Sequence, residues 1–459
     1  MKLLKILIRV GLGLLVFIGL ILTVRAVFNF TEGRALARTL AGLQAQGIPL
    51  TAKDLAPPCP DDDNAARLWK AFENITTIPG RAIKTLERPT SRDSSVRGLI
   101  SRAWLAYQAG KPFDPADKAA LKDTILKNQK AFELVAQMGD KPCFLYRDPA
   151  ESLVESRLPD AVQMLQTTEL LFFSALFSAE EGDVHSAVDK VLIGLKFTPL
   201  MAREGTLIAD LISVAETRIL SQFLGEICGG RAVSDEDLMR LMAAQNPGPW
   251  RARLAEAFRG ERVMFAEVGG DVYKGRLADL GSIWEGPHWW QELGAWIARP
   301  LVKRDMRRSL SNFEFLEAQT KIPYHQSRDA LRVRDLELKE RPWYAFLSKM
   351  IIGESEAAFM KQAMVESIML ANRTGLACRL YKSRTGRYPG TLDELVPGLL
   401  AEVPIDPFTG KPMVYRREGE GFVVYSLGSN QKDDGGRSTY MITQLVMDKD
   451  DDWSWREDR

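Results

Sequence analysis

The sequence contains few of the residues that build metal and catalytic centres. It has three histidines in 459 residues, His185, His288 and His325, and their wide separation argues against a histidine cluster. No CxxC pair is present, so we do not expect a zinc site. A serine nucleophile elbow, a P-loop, an HExxH motif and a Rossmann glycine fingerprint are also missing. The enzyme classes that these motifs mark are therefore excluded.

The chain also has almost no net charge. Its 61 lysines and arginines balance 60 aspartates and glutamates, which gives a formal charge of +1. This balance removes any global electrostatic argument for nucleic acid as a partner. Hydrophobic residues make up 46% of the chain and charged residues 26%, which is typical of globular proteins. The length predicts two or three folded units.

The four cysteines fall into two pairs by their surroundings. Cys228 and Cys378 lie in apolar helical stretches and are expected to be small buried hydrophobes. Cys59 and Cys143 lie in the proline-containing loops "PPCP" and "KPCF". A disulfide between these two would join two loops, and free thiols are equally compatible with the sequence.

A long apolar run at the N-terminus predicts a membrane anchor. Fifteen uncharged residues separate Arg9 from Arg25, and snorkelling of the flanking basic side chains extends the apolar length from Leu3 to Phe28. We therefore predict an uncut signal-anchor helix over 1–28. A cleaved signal peptide is the alternative, with Val24 and Ala26 as the small residues before the cut.

The orientation of this anchor follows from its short N-terminal tail. Such a tail usually stays in the cytoplasm, although the difference in basic residues between the two flanks is small. We expect a single-pass protein of the inner (cytoplasmic) membrane. The bulk of the chain would lie on the periplasmic or extracytoplasmic side.

A helical body is predicted over 29–353. It divides into a juxtamembrane helix at 29–54, a loop at 55–64 and a main body at 65–353. The fold class is therefore mainly α, with a single N-terminal transmembrane helix and a small α+β module at the C-terminus.

Local capping signals support the helical assignment. Asp114–Pro115 predicts the start of a helix that runs through Met138. Ser234 followed by Asp237 is a second helix-start signal. Two apolar helices joined at Gly182–Asp183 predict a helical hairpin.

A tryptophan-rich segment followed by basic residues admits two interpretations. Its members are Trp284, Trp289, Trp290, Trp296, Lys303, Arg304, Arg307 and Arg308. One interpretation places the aromatic residues among lipid headgroups and the basic residues on phosphates. We favour the other, aromatic core packing beside a solvated basic helix, because tryptophans in a large fold are usually buried.

The C-terminal module, 354–459, is predicted to be a helix covered by a sheet. An amphipathic helix is expected from Glu354 to about Ser383, with apolar residues at three- and four-residue steps. Strands are predicted at Met413–Arg417 and Gly421–Ser426, and a third at Met441–Met447. Three antiparallel strands over the end of the helix would bury its apolar stripe.

Three segments of this module resemble the globular head of the type II secretion system major pseudopilin, the G-type subunit. They are "LACRLYKSRTGRYPGTLDELV", "DPFTGKPMVY" and "VVYSLGSNQKDDGG", in the family's order. The N-terminus departs from the family, because "LIRVGLGLL" replaces the peptidase site of the Gly-Phe-Thr-Leu-x-Glu kind. We therefore expect a borrowed head rather than a subunit that is processed and polymerised.

The resemblance also implies a calcium loop at Leu427, Asn430, Asp433 and Asp434. Calcium takes six to eight oxygen ligands with several carboxylates. Here an asparagine stands at 430 and a lysine at 432, so acids from Asp448–Asp452 would have to fold back to complete the site. The alternative is a solvated turn. We predict a weak or absent calcium site and no other cofactor.

These features predict a non-enzymatic, membrane-anchored envelope protein. Its helical body would be a scaffold or interaction surface, and its pseudopilin-like head would contact secretion or pilus proteins. The alternative is an envelope hydrolase with a site in the helical body that no motif marks. A third possibility is that the head only caps the C-terminal fold.

Overall fold

The structure is a computed structural model, and it confirms the predicted fold class. It describes residues 2–55, 59–80, 95–153, 156–222, 224–274, 288–342, 345, 348–349, 355–437 and 452–457. Within these residues the chain is mainly helical, with a three-stranded antiparallel sheet close to the C-terminus.

In chain order, the described helices are α1 (Lys2–Ala45), α2 (Ala52–Leu55), α3 (Ala65–Ile75), α4 (Val96–Gln108), α5 (Pro115–Lys127), α6 (Gln129–Gly139), α7 (Ala161–Glu180), α8 (Val184–Phe197), α9 (Leu207–Gln222), α10 (Leu224–Cys228), α11 (Asp235–Ala244), α12 (Gly248–Lys274), α13 (His288–Gln319), α14 (Tyr324–Lys339) and α15 (Ser355–Thr385). Short 3-10 helices lie at Asp61–Asp63, Met201–Glu204 and Leu392–Leu395.

Helix α1 is a single helix that joins the apolar run to the juxtamembrane segment. From Arg9 onward it is long and apolar enough to cross a membrane, and its most apolar window is fully exposed. Its second half enters the body, where Leu36 and Leu43 are buried in a hydrophobic cluster. The anchor is thus continuous with the folded body.

The helical hairpin is confirmed and lies at the centre of the body. Helices α7 and α8 meet at a turn in which Gly182 has φ +88°. Every residue from Gln166 to Ala179 is buried, as expected for a helix surrounded by protein on all sides. The ring of Trp104 stacks on Phe172 with 4.9 Å between ring centres.

Both predicted helix starts are confirmed, but one helix is shorter than predicted. The side chain of Asp114 caps α5, and that of Ser234 caps α11. The helix expected to reach Met138 ends instead before Asn128, whose buried side chain accepts hydrogen bonds from the amide of Thr77 and the hydroxyl of Thr76. The predicted end at Met138 is wrong, because contacts with a loop distant in sequence divide the helix at Asn128. No helix-breaking residue lies at this point.

The disulfide that the sequence left open is present. Cys59 pairs with Cys143, which joins the segment before α3 to the segment after α6. Cys228 and Cys378 are free and buried, as predicted. Burial raises the pKa of the Cys228 thiol to about 12, so this thiol is unreactive at neutral pH.

The core-packing interpretation of the tryptophan-rich segment is wrong at Trp296. This side chain is 39% exposed and lies against Arg25 of α1. Trp284 and the side chains of Trp289 and Trp290 lie outside the described residues. Helix α13 contacts α1 here, and the aromatic ring lies at the surface and not in the core.

The C-terminal module has the predicted long helix and hairpin. Strands β1 (Val414–Glu418) and β2 (Gly421–Ser426) pair antiparallel, with Glu418 opposite Gly421 across the turn. The third strand, β3 (Trp453–Glu457), pairs with β2. The strand predicted at Met441–Met447 lies outside the described residues.

Helix α15 lies between this sheet and the helical body. Strands β2 and β3 contact it, and so do α9, α11 and α14 of the body. The ring of Trp455 packs directly over Gly375, where a Cβ atom would come within 2.4 Å of the ring. The helix that opens the C-terminal module therefore also completes the core of the body.

Candidate functional site

Two of the three segments that carry the pseudopilin resemblance meet around one buried carboxylate, Asp406. One of its oxygens accepts hydrogen bonds from the hydroxyl of Ser426 at 2.7 Å and the amide of Phe408 at 2.9 Å. The other accepts from the amide of Leu427 and the hydroxyl of Thr409, both at 3.1 Å. Asp406 thus joins the "DPFTG" turn to the "SLG" segment at the end of β2.

The "GRYPG" segment is held by the hairpin in a similar way. The hydroxyl of Tyr415 donates to the carbonyl of Pro389 at 2.7 Å, and Arg417 donates to the carbonyl of Tyr388 at 3.2 Å. The ring of Tyr388 meets Phe422 edge-on with 4.8 Å between centres. The quoted segments therefore form one connected unit on the sheet.

The four predicted calcium ligands lie together in the loop after β2. Asn430 donates to Asp434 at 2.8 Å through its side-chain nitrogen, and its side-chain oxygen accepts from the amide of Lys432. Asp433 accepts from the hydroxyl of Tyr425 at 2.8 Å and from the amide of Gly435. The Tyr425 hydrogen bond, with that amide, holds the pKa of Asp433 below its usual range.

Asp452 lies beside this loop, where a complete calcium site would need an additional acidic residue. Its Oδ2 accepts a hydrogen bond from the amide of Gly436 at 2.7 Å. Its Oδ1 is buried and accepts no hydrogen bond from the residues that the structure describes. Burial, together with repulsion from Asp434 and Asp433, raises the pKa of Asp452 to about 6. The positions 448–451 lie outside the described residues.

These residues do not form a preassembled cation site. Across the described part of the chain, no group of three or more histidine, cysteine, aspartate or glutamate side chains is placed to hold a metal. The amide of Asn430 presents its nitrogen to Asp434, which is a hydrogen-bonded turn and not the oxygen cage that calcium needs. Calcium binding at Leu427, Asn430, Asp433 and Asp434 stays a prediction.

A cleft of about 900 Å³ lies beside the disulfide at the start of α3. Its lining residues are Cys59, Asp61, Asn64, Ala66, Arg67, Lys70, Leu145, Tyr146, Arg147, Asp148, Pro149, Glu151 and Arg157. Four of them are cationic and three are anionic, so the cleft presents a mixed surface with a small positive excess.

A buried ion pair lies at the inner side of this cleft. The guanidinium of Arg147 is 3.8 Å from the carboxylate of Glu204, and both side chains are almost fully buried. Burial raises the pKa of Glu204 to about 7, although the amide of Tyr146 donates to it at 2.6 Å. The lining includes Lys70, Tyr146 and three acidic side chains, and it has no serine, threonine, histidine or free cysteine.

Sequence reasoning missed Asp406 as a structural centre and missed the cleft altogether. A signal for Asp406 was present, since Asp-Pro followed by Thr is typical of a turn closed by the aspartate side chain. The cleft had no such signal, because its residues come from segments far apart in the chain.

No protein-family model, curated protein or solved structure matches this chain. The pseudopilin resemblance therefore depends on the residues and contacts above.

Proposed function

We propose that this chain is a non-enzymatic, single-pass membrane protein of the cell envelope. Helix α1 anchors it in the inner membrane, and the helical body is a scaffold on the extracytoplasmic side. The C-terminal module is similar to the head of a type II secretion pseudopilin and contacts secretion or pilus proteins.

One observation carries the proposed head. The three quoted segments, which are separate in sequence, are joined by the hydrogen bonds of Asp406 and Tyr415 on a sheet that covers α15. The three segments lie within 376–436, and the β1–β2 hairpin brings two of them together. Their contacts support a common small fold.

The proposed side of the membrane is supported by the disulfide. Cys59 and Cys143 follow α1 in the chain, so they lie on one side of the membrane if α1 spans it. Disulfides persist in oxidising compartments and are rare in the cytosol. The short N-terminal tail favours the same orientation.

Binding of a partner to the head is best tested at surface positions of the head, because α15 also forms part of the core of the body. Removing the module from 354 onward would expose the surfaces of α9, α11 and α14 that pack against α15. A loss of partner binding could then result from unfolding of the body and not from loss of the head. A photo-cross-linking residue at Ile405, an exposed position of the head, avoids this. The matched control is Leu126, an exposed position of the body in α5.

The expected adducts from Ile405 in native membranes contain a pseudopilin or another secretion component. Adducts with such components should be absent or rarer from Leu126. Equal recovery from both positions, or recovery from neither, contradicts a docking role for the head.

The orientation has its own test. Alkaline phosphatase fused after Arg459 should be active, because this enzyme folds only outside the cytoplasm. A green fluorescent protein fused at the same place should be dark. The reverse pattern would place the body in the cytoplasm.

A further inference from the structure

A basic and aromatic surface lies where α13 meets the membrane helix. We call it the α1–α13 collar and define it by Arg25, Trp296, Ile297, Arg299 and Arg304. The Arg25 guanidinium carbon is 3.3 Å from the centre of the Trp296 ring, and Arg25 also donates to the Trp296 carbonyl. The described side chains of the collar are thus fixed to the anchor itself.

The collar lies at the end of the apolar part of α1. Arg25 is the first charged residue after the uncharged run that begins at Val10. In a helix that spans a bilayer, this position is at the level of the lipid headgroups. Trp296 is therefore at the same level, and tryptophan is enriched at membrane–water interfaces.

Helix α13 runs beside α1 in the same direction. Arg25 contacts Trp296, the carbonyl of Asn29 accepts from Lys303 at 3.1 Å, and Glu32 pairs with Arg307 at 3.2 Å. The eight residues of α13 before Trp296 correspond to about 12 Å of helix, so this helix continues toward the membrane. Its start at His288 lies on the membrane side of the collar.

Cations outnumber acids around the collar. The described basic residues are Arg25, Arg299, Arg304, Arg307 and the buried Lys303. The acids beside them are Glu32, which pairs with Arg304 and Arg307, and the buried Asp305. Asp305 is directed into the protein, where it accepts a hydrogen bond from the amide of Ser348. A positive excess at headgroup level is complementary to lipid phosphates.

Apolar side chains continue from the collar onto α1. Ile297 is 55% exposed, and Val24, Val27 and Phe30 of α1 are each close to 60% exposed. No described part of the chain covers them. Apolar surface beside a band of arginines fits the boundary between acyl chains and phosphates.

We infer that the α1–α13 collar binds the headgroups of anionic phospholipids, with Trp296 and Ile297 in the interfacial layer. The inference rests on the proposed anchoring by α1. The collar adds a second membrane contact, which fixes the body against the bilayer surface.

A depth-sensitive fluorophore on Ile297→Cys tests the collar in the full-length chain. The native cysteines do not interfere, because two form the disulfide and two are buried. Leu126→Cys is the matched control, an exposed leucine on α5. Both proteins are placed in nanodiscs of phosphatidylcholine alone or mixed with phosphatidylglycerol, with spin-labelled lipids as quenchers.

The Ile297 probe should be quenched several-fold more strongly than the Leu126 probe. Headgroup-level spin labels should quench it more than labels deep in the acyl region, and phosphatidylglycerol should increase the quenching. Arg299→Glu should remove the increase, whereas Lys127→Glu on the exposed face of α5 should leave it unchanged. Equal melting temperatures of the two variants show that both are folded.

The outcomes separate the collar from the anchor. A protein that does not enter the discs refutes anchoring by α1 and with it the proposed function. A protein that enters, but whose Ile297 probe is unquenched, refutes the collar alone and indicates that protein covers this face. Equal quenching with and without phosphatidylglycerol also overturns the inference, because it removes the preference for anionic lipid.

Discussion

One buried carboxylate of the C-terminal module, Asp406, and two of the helical body, Asp210 and Glu216, are held in opposite ways. In the module, Asp406 is 1% exposed and accepts four hydrogen bonds. In the body, Asp210 and Glu216 are equally buried, and neither accepts a hydrogen bond from the residues that the structure describes. The first arrangement specifies a turn, and the second makes a core sensitive to protonation.

The difference follows from the cost of burying a charge. A buried ionised carboxylate without hydrogen bonds is strongly disfavoured, so the group holds its proton instead. Burial raises the pKa of Asp210 to about 7 and that of Glu169 to about 8. Burial and the neighbouring Glu169 raise the pKa of Glu216 well above its usual range.

The largest expected effect is a loss of stability of the body with rising pH. Its buried acids stay protonated in the folded chain at a pH where they have ionised in the unfolded chain, so folding binds protons and the free energy of unfolding falls as pH rises. From the values for Asp210 and Glu169, this loss should be on the order of 8 kcal/mol between about pH 4.5 and about pH 8. Urea unfolding at several pH values measures it.

A double variant, Glu169→Gln with Asp210→Asn, is the control for this profile. It should flatten the dependence, since neither new side chain titrates. A wild-type stability that stays level or increases over the same range would contradict protonated acids in the body.

The disulfide is expected to give the next largest effect. Replacing Cys59 and Cys143 together with serine should lower the free energy of unfolding by about 4 kcal/mol, because the bond closes a loop between residues 84 apart. Guanidinium unfolding of the body measures this, and reduction of the wild-type chain should have the same effect. An unchanged midpoint would mean that the bond adds nothing to the body.

Asp406→Ala should destabilise the module by about 3 kcal/mol, because it leaves two buried and two half-buried donors without an acceptor. Hydrogen exchange at Leu427 and Phe408 should increase, while α7 in the body stays protected. Asp393→Ala, at an exposed aspartate of the same module, is the matched control. Equal exchange in both variants would argue against Asp406 as the centre of the module.

The smallest expected effect is a gain in stability. Glu216→Gln should stabilise the body by about 1 kcal/mol near pH 8, because it removes the cost of ionising a buried acid, and should have little effect near pH 5. Glu236→Gln, at an exposed glutamate, should change neither value. Destabilisation by Glu216→Gln at both pH values would indicate that the carboxylate has a required partner.

Local signals predicted much of this fold. The caps at Asp114 and Ser234, the glycine turn at Gly182 and the hairpin around Gly419 all depend on residues within a few positions of one another. The long helix α15 was also predicted, but it is buried between the sheet and the body and not along a single apolar stripe.

Features that depend on distant contacts were not predictable. Asn128 divides a helix because Thr76 and Thr77, far away in sequence, bind its side chain. Trp296 contacts Arg25 of α1, and no local pattern in the sequence indicates this distant pairing. The loop with the four predicted calcium ligands was located from its motif. The hydrogen bond from the amide of Gly436 to Asp452 was not specified, because the number of residues between them does not determine how the chain comes back to the loop.

Helix α1 runs unbroken through 44 residues, which corresponds to roughly 66 Å. If α1 spans a membrane, as we propose, no break in this helix separates the part in the bilayer from the part that packs against the body. A tilt of the membrane end would then be accompanied by the same tilt of the body end, because both belong to one continuous helix.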